Sequence, residues 1–268
     1  MMQLKKNLEK KATKTRGISQ YLDEGDDDDE FSDDDDLGDG DKGMTTEKDP
    51  SKLIDLELVN LLKFCNELSK KHKDTDAYQD EVMAKSLELG KKTKEKTLIL
   101  DMDETMIAAK FNDKLPKAFV ANFSFDFCEA TIHVRFRPYL ADTLEKLGQL
   151  YEIVAFTAGV KDYADPILDQ IDPDGTIFKK RMYRDSCVKC EQFFIKDLDI
   201  ILDREKKNMI IVDNSILSFA FDLANGVPIN SFMGDEEEDK DLLYLVAFLE
   251  DAYYQKDIRE ACEESFKL

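Results

Sequence analysis

The spacing of apolar residues along the chain changes near residue 97. Before that point, apolar side chains recur at helical intervals, which predicts a helix over 51–71 and a weaker one over 77–89. The stronger stripe consists of Leu58, Leu61, Leu62, Cys65 and Leu68. It is too short for a coiled coil, so we expect it to pack against the rest of the chain.

From Thr97 onward, short apolar runs alternate with helix-like segments. The runs span 97–100, 153–156 and 209–212, and the helical patterns span 140–150, about 163–170 and 239–254. This alternation predicts an α/β fold built on a Rossmann-like parallel sheet. After the first strand, aromatic residues follow a period of two within 118–136, which predicts a small antiparallel β insertion.

The acidic charge of the chain is concentrated near its start. The formal net charge is −21 over 268 residues, and 23–41 contains 13 acidic residues and no basic ones. Because few apolar side chains lie there, we predict a disordered acidic tail over 1–49. A helical extension over 50–90 and a main domain over 91–268, with its insertion at about 111–136, follow. The tail either binds a basic partner or only aids solubility.

Composition also narrows the location and the partners. An acidic surface disfavours direct contact with nucleic acid. The sequence has no apolar run long enough for a transmembrane helix, and 1–16 lacks the apolar segment of a secretory signal. The five cysteines, an odd number without an export signal, indicate reduced thiols. We therefore expect an intracellular protein, nuclear or cytoplasmic, without a membrane partner.

Two carboxylates follow the first predicted strand. Asp101 and Asp103 leave its carboxyl end, where open α/β sheets bind their ligands. Two acids in one small site repel each other, so we expect a divalent cation between them. Asp101 could then act as a nucleophile and Asp103 as an acid. An EF-hand loop is excluded, because Met106 and Asn112 occupy the positions that require Gly and Glu.

Three more polar sites come at or near the ends of apolar runs. Thr157 supplies a hydroxyl beside the backbone amide of Ala158, which suits a phosphate. Lys196 follows an apolar run and either neutralises a phosphoryl oxygen or extends along the surface. Asp213 and Asn214 offer the oxygen ligands that Mg²⁺ prefers, or form a turn. Four such sites in this order favour one shared phosphate site.

These motifs together resemble a known family. The matching stretches are Leu-Ile-Leu-Asp-Met-Asp-Glu-Thr ending at Thr105, Arg137-Pro138, Phe-Thr-Ala-Gly from Phe156, Tyr-Ala-Asp-Pro from Tyr163, Arg-Asp-Ser-Cys-Val from Arg184, Ile-Lys-Asp-Leu from Ile195 and Ile-Val-Asp-Asn-Ser from Ile211. The chain is similar there to the FCP/SCP-type (CTD small phosphatase-like, NLI-interacting-factor-like) phosphatases of the haloacid dehalogenase superfamily. The similarity covers about 97–249.

The resemblance implies a Mg²⁺-dependent protein-serine/threonine phosphatase with an aspartyl-phosphate intermediate. By it, Asp101 would be the nucleophile, Asp103 the acid and base, and Thr105 a brace for their loop. The implied metal ligands are the Asp101 carboxylate, the Asp103 carbonyl and Asn214, with Asp213 supporting them. The implied contacts of the phosphoryl group are Thr157, Ala158 and Lys196.

A peptide groove is also implied, with the phosphorylated RNA polymerase II C-terminal domain as one candidate substrate. Its candidate residues are Tyr163, Arg184 and Phe125, although the aromatic stripe would also serve as the core of the small sheet. Gly159 departs from the family, which usually has serine there. Two alternatives stay open: a catalytically silent binding protein of the same fold, and a small-molecule phosphatase of the same superfamily.

Overall fold

The computed structural model describes residues 50–111, 115–235 and 238–266, with side chains from residue 57 onward. The predicted acidic tail lies outside the described residues. The helices are α1 (Pro50–Lys73), α2 (Asp76–Lys85), α3 (Leu140–Leu150), α4 (Lys161–Ile171), α5 (Asp241–Tyr253) and α6 (Ile258–Phe266). The strands are β1 (Lys96–Leu100), β2 (Ile107–Lys110), β3 (Phe123–Phe127), β4 (Ala130–Phe136), β5 (Tyr151–Phe156), β6 (Phe178–Met182), β7 (Val188–Cys190), β8 (Phe193–Ile195), β9 (Met209–Asp213) and β10 (Gly226–Pro228).

The central sheet has five strands in the order β10-β9-β1-β5-β6, and every pairing in it is parallel. All five residues of β1 are buried, as is usual for a parallel strand covered on both faces. Leu98 and Leu100 enter the core beneath α3 to α6, whereas Ile99 enters the core on the opposite face. The predicted α/β fold with a parallel sheet is confirmed.

The insertion is a three-stranded antiparallel sheet in the order β2-β4-β3. The predicted start of the insertion, at about residue 111, is too late. Residues Ile107–Lys110 already pair with β4, so the small sheet begins directly after the loop that carries the two aspartates. In a β-strand, alternate side chains point to opposite faces of the sheet. Phe123, Phe125 and Phe127 of β3 therefore share one face, and they pack against the core.

The N-terminal extension packs on the central domain, as predicted. Cys65 and Leu68 of the apolar stripe are buried, while Leu58 remains exposed. The second helix ends at Lys85 rather than at residue 89. It stops there because Leu87 leaves the helix and forms a parallel bridge with Ile201.

Two further elements differ from the sequence-based expectation. The predicted closing helix over 239–254 spans Asp241–Tyr253 and is followed by α6, whose apolar positions are few. Strand β6 was not predicted, because three of its five residues are charged. It is the edge strand of the sheet, where lysine and arginine are common. Within the described ranges, no helix combines the length and apolar character needed to cross a bilayer.

Candidate active site

The site begins where β1 ends. The backbone N–H of Asp101 donates to the carbonyl of Val212 at 3.0 Å, so this residue still continues the pairing of β1 with β9. Met102 is fully buried, and its side chain anchors the loop in the core. The carboxylates of Asp101 and Asp103 then both face the cleft beyond the carboxyl ends of the strands.

Lys196 is the cation at the centre of the site. Lys196 follows β8 directly, and its backbone N–H donates to the carbonyl of Ser218 at 2.6 Å. Only 1% of the residue is exposed to solvent. The ammonium donates to Asp101 Oδ1 and, at 2.6 Å, to Asp213 Oδ2. This burial excludes the alternative that Lys196 extends along the surface. Burial alone would lower the pKa of Lys196, but the two carboxylates raise it above its usual value, so the ammonium stays charged.

Asp213 is the last residue of strand β9, and Asn214 follows it. Asp213 Oδ1 accepts the backbone N–H of Ser215 at 2.8 Å, which fixes the second oxygen toward Lys196. The amide nitrogen of Asn214 donates at 3.0 Å to Glu104 Oε2 and at 3.0 Å to Ser231 Oγ. With the amide nitrogen committed to these two acceptors, the oxygen Oδ1 is the atom of Asn214 available to a cation.

Thr157 ends the neighbouring strand on the other side of β1. Its backbone N–H donates to Met182 at 3.0 Å, and its hydroxyl accepts the N–H of Gly159 at 2.9 Å and lies 3.5 Å from Asp103 Oδ2. A Cβ at Gly159 would lie 3.0 Å from Tyr163 Cδ1 and 3.2 Å from Thr157 Oγ1. Glycine at this position therefore lets Tyr163 pack closely on the loop.

Tyr163 connects this loop with an aromatic wall. Its buried ring lies 5.8 Å from Phe111, 6.3 Å from Phe125 and 5.8 Å from Phe127, measured between ring centroids. Its hydroxyl donates to Asp103 Oδ1 at 2.5 Å. Burial raises the pKa of Asp103, and the hydrogen bond from Tyr163 opposes that shift.

Most of the predicted site residues share one cleft of about 740 Å³. They are Asp101, Asp103, Thr157, Ala158, Tyr163, Arg184, Lys196, Asp213 and Asn214. Arg184 holds its guanidinium beside the loop that follows β5, where Nε donates to the carbonyl of Ala158 at 2.6 Å. Phe125 packs behind Tyr163 and does not line the cleft, whereas Phe127 of the same insertion does. Phe111, which lies outside the predicted groove, also lines it.

Thr105 lies below the cleft rather than in it. Its hydroxyl is buried and, within the described part of the chain, has no hydrogen-bond partner. Its carbonyl instead accepts Arg137 Nη1 at 3.1 Å. The buried guanidinium of Arg137 also bonds Asp239 through two nitrogens at 2.9 Å each and Asp241 at 3.2 Å. This network holds the Asp-Met-Asp loop, a role that the Arg137-Pro138 motif alone did not reveal.

The donor set fits a divalent cation. Asp101, Asp103 and Asp213 bring three carboxylates to a buried site that holds one lysine, and Asn214 adds a neutral oxygen. Burial, together with the charges of Asp213 and Asp103, raises the pKa of Asp101 to about 7 even though Lys196 opposes the shift. Clustered carboxylates and hard oxygen ligands of this kind suit a hard divalent cation.

Cys187 and Cys190, whose spacing could suggest a metal site, lie in a buried environment. Cys187 and Cys190 are buried beside β7, and burial raises the pKa of the first thiol to about 12 and of the second to about 11. Both thiols are therefore protonated near neutral pH. Zinc binds the thiolate, so this environment disfavours the metal site that their spacing could suggest.

The chain matches one family model and several known proteins. A family model described as NLI interacting factor-like phosphatase matches residues 96–259. The chain is 38% identical over 172 residues to CTD small phosphatase-like protein 2 of Dictyostelium discoideum, which is 64% of this chain and 30% of that protein. It is 36% identical over 170 residues to a probable C-terminal domain small phosphatase of the same organism, which is 63% of this chain and 55% of that protein.

Among solved structures, the chain is similar to a fission yeast RNA polymerase II CTD phosphatase, Fcp1, bound to beryllium fluoride. The identity is 19%, the TM-score is 0.44, and the match covers 63% of this chain and 62% of that one. The chain spans about half or less of the length of the two Dictyostelium relatives.

Proposed function

This chain belongs to the NLI interacting factor-like phosphatase family, and we propose on that basis that it is a Mg²⁺-dependent phosphoserine/phosphothreonine protein phosphatase acting through an aspartyl-phosphate. One observation supports this above the others. A buried lysine, Lys196, joins Asp101 to Asp213 in a cleft that also contains Asp103 and Thr157. A nucleophile, an acid and a fixed cation are what phosphoryl transfer requires of a protein.

In the first step, an Asp101 carboxylate oxygen attacks phosphorus and the bond from phosphorus to the serine or threonine oxygen breaks. Asp103 gives its proton to that leaving oxygen. The raised pKa of Asp103 favours the protonated form that this step needs. Lys196 and the hydroxyl of Thr157 hold the phosphoryl oxygens and neutralise their charge.

In the second step, Asp103 takes a proton from water, the water oxygen attacks phosphorus, and the bond from phosphorus to Asp101 breaks to release phosphate. When bound, Mg²⁺ would be held by the Asp101 carboxylate, the Asp103 carbonyl and Asn214 Oδ1, with Asp213 supporting them, and would neutralise phosphoryl charge. Glu104 and Ser231 keep Asn214 in the orientation that presents Oδ1.

The shape of the cleft favours a phosphorylated polypeptide over a small phosphate ester. The insertion is a three-stranded sheet that leaves the cleft open, and its aromatic side chains provide an apolar wall next to the phosphate site. Phe111 is half exposed on that wall. The phosphorylated RNA polymerase II C-terminal domain is the first substrate to test, and a substrate of this class places the protein in the nucleus or cytoplasm.

The test is hydrolysis of p-nitrophenyl phosphate and of phosphoserine peptides, with and without Mg²⁺. Wild type, Asp101→Asn and the control Asp174→Asn, an exposed aspartate, are compared. We expect Mg²⁺-dependent turnover in wild type and in the control, and loss of at least about 10³-fold in Asp101→Asn. Turnover that survives in Asp101→Asn would refute the assigned nucleophile. A folded wild type that hydrolyses neither substrate would favour the silent binding protein.

A further inference from the structure

The N-terminal extension, α1 and α2, lies outside the residues matched by the family model. We propose that the extension is part of the working enzyme, because it positions Lys196 through a buried hydrogen bond from Tyr78 to Asp197. This inference rests on the proposed function, since it assigns Lys196 to the phosphoryl group. Tyr78 is a positioning residue, and it touches no reacting atom.

The segment that carries Lys196 is held by α2 at its start. The ammonium of Lys85 donates to the carbonyl of Asp185 at 3.0 Å and also to that of Cys187. Glu81 accepts the backbone N–H of Lys189 at 2.9 Å. These contacts fix the chain just after Arg184 and in the first strand of the hairpin β7–β8.

The hairpin itself is held by α1. Lys71 pairs with Glu191 at the hairpin turn, with 2.7 Å between Nζ and Oε1. Phe64 packs edge-on against Phe193 of β8, with ring centroids 5.9 Å apart. The aromatic contact lies three residues before Lys196, so a shift of α1 would move the strand that delivers the lysine.

The segment is held again after Lys196. The backbone N–H of Leu87 donates to Ile200 at 2.8 Å, and the N–H of Leu202 donates to Leu87 at 3.0 Å. The extension therefore pairs with the main chain on both sides of the lysine.

The central contact is the buried one between Tyr78 and Asp197. The hydroxyl of Tyr78 donates to Asp197 Oδ2 at 2.5 Å, and Asp197 Oδ1 accepts the backbone N–H of Asp199 at 2.9 Å. Asp197 follows Lys196 in the chain, so its two fixed oxygens define the direction in which the main chain leaves the lysine. The ring of Tyr78 is held independently, edge-on against Phe221.

Two ammonium groups already lie among the carboxylates around this contact. Asp197, Asp199 and Asp222 cluster closely enough to suggest a cation site. Lys206 pairs with Asp199 and Asp222 at 2.6 Å each, and Lys73 pairs with Asp199 at 2.7 Å. With two ammonium groups in place, the cluster is a structural ionic network that ties α1 to the lysine-bearing segment.

The test replaces only the hydroxyl of Tyr78. In Tyr78→Phe the ring packing is kept, and the matched control is Tyr151→Phe, a buried tyrosine whose hydroxyl donates to the carbonyl of Leu249 at 2.7 Å, away from this segment. We measure turnover of p-nitrophenyl phosphate, inhibition by inorganic phosphate, and the Mg²⁺ concentration that gives half-maximal activity.

For Tyr78→Phe we expect turnover and phosphate inhibition each to weaken by about tenfold, because small displacements of a positioned charge are costly to catalysis. The half-maximal Mg²⁺ concentration should not change, since the proposed metal ligands follow β1 and β9 rather than β8. Tyr151→Phe should match wild type in all three values. Equal values for the two variants would overturn the proposal.

A second readout does not depend on activity. Amide hydrogen exchange over residues 185–202 should be faster in Tyr78→Phe than in wild type and in Tyr151→Phe. If wild type hydrolyses no phosphate ester, the proposed function fails, and this measurement alone decides whether the extension holds the segment. Unchanged exchange there would overturn the positioning role.

Discussion

Replacing Lys196 by methionine should separate the electrostatics of the site from its packing. The side chain of Lys196 is 2% exposed, and those of its partners Asp101 and Asp213 are 8% and 2% exposed. Methionine fills nearly the same volume, but it leaves two carboxylates buried without their cation. Removing one partner of a buried ion pair costs about 3–5 kcal/mol of folding free energy, and we expect a loss in that range.

The assay is urea unfolding followed by circular dichroism, with EDTA present so that no cation substitutes for the lysine. Lys196→Met, Asp213→Asn and the double variant complete a thermodynamic cycle, and Lys92→Met is the control at an exposed lysine. The double variant should be less destabilised than the sum of the single changes by more than about 1 kcal/mol. The control should lie within about 0.5 kcal/mol of wild type.

The same variant also tests catalysis. With Mg²⁺ present, Lys196→Met should lose about 10²–10³-fold in turnover, the usual effect of removing a fixed donor from the transition state. The electrostatic reasoning is refuted if Lys196→Met unfolds at the same urea concentration as Lys92→Met. It is also refuted if the two single changes are additive in the double variant.

Two further predictions concern stability. Gly226→Ala would place a Cβ 2.1 Å from Cε2 of the fully buried Phe219 ring, so we expect a loss of about 1–3 kcal/mol, and an unchanged melting temperature would contradict this. Burial, reinforced by the charge of Asp222, raises the pKa of Asp197 from 3.8 to about 6. Because the pKa is higher in the folded state, ionising Asp197 lowers the folding stability by up to about 3 kcal/mol as the pH rises through 6. Unfolding measured from pH 4.5 to 7.5 should show a smaller fall in stability for Asp197→Asn than for Asp174→Asn, and equal slopes would contradict the assignment.

The sequence predicts the centre of this protein well for a physical reason. Strands β1, β5 and β9 are buried on both faces, so they appear as continuous apolar runs, and a polar residue directly after such a run marks the carboxyl edge of the sheet. Asp101, Thr157 and Asp213 each occupy such a position. The family expected from these motifs is confirmed.

The periphery could not be predicted in the same way. Strand β6 has an apolar residue only at each end, and its pairing with β5 depends on the sheet already being formed. The bond from Tyr78 to Asp197 joins residues 119 positions apart, and neither residue type signals its partner. Long-range polar contacts of this kind follow from the packing of whole elements, which local patterns do not encode.

The strand order of the central sheet has a consequence for synthesis of the chain. Leu98 of β1 pairs with Ile153 on one side and with Ile210 on the other, so the middle strand is made first and its last neighbour more than a hundred residues later. While the chain emerges from the ribosome, both edges of β1 therefore remain unpaired at first, and unpaired strand edges can form hydrogen bonds with other chains. The proposed mechanism also needs Asp213 at the end of β9, so a chain that lacks β9 carries the proposed nucleophile, Asp101, without this partner of Lys196.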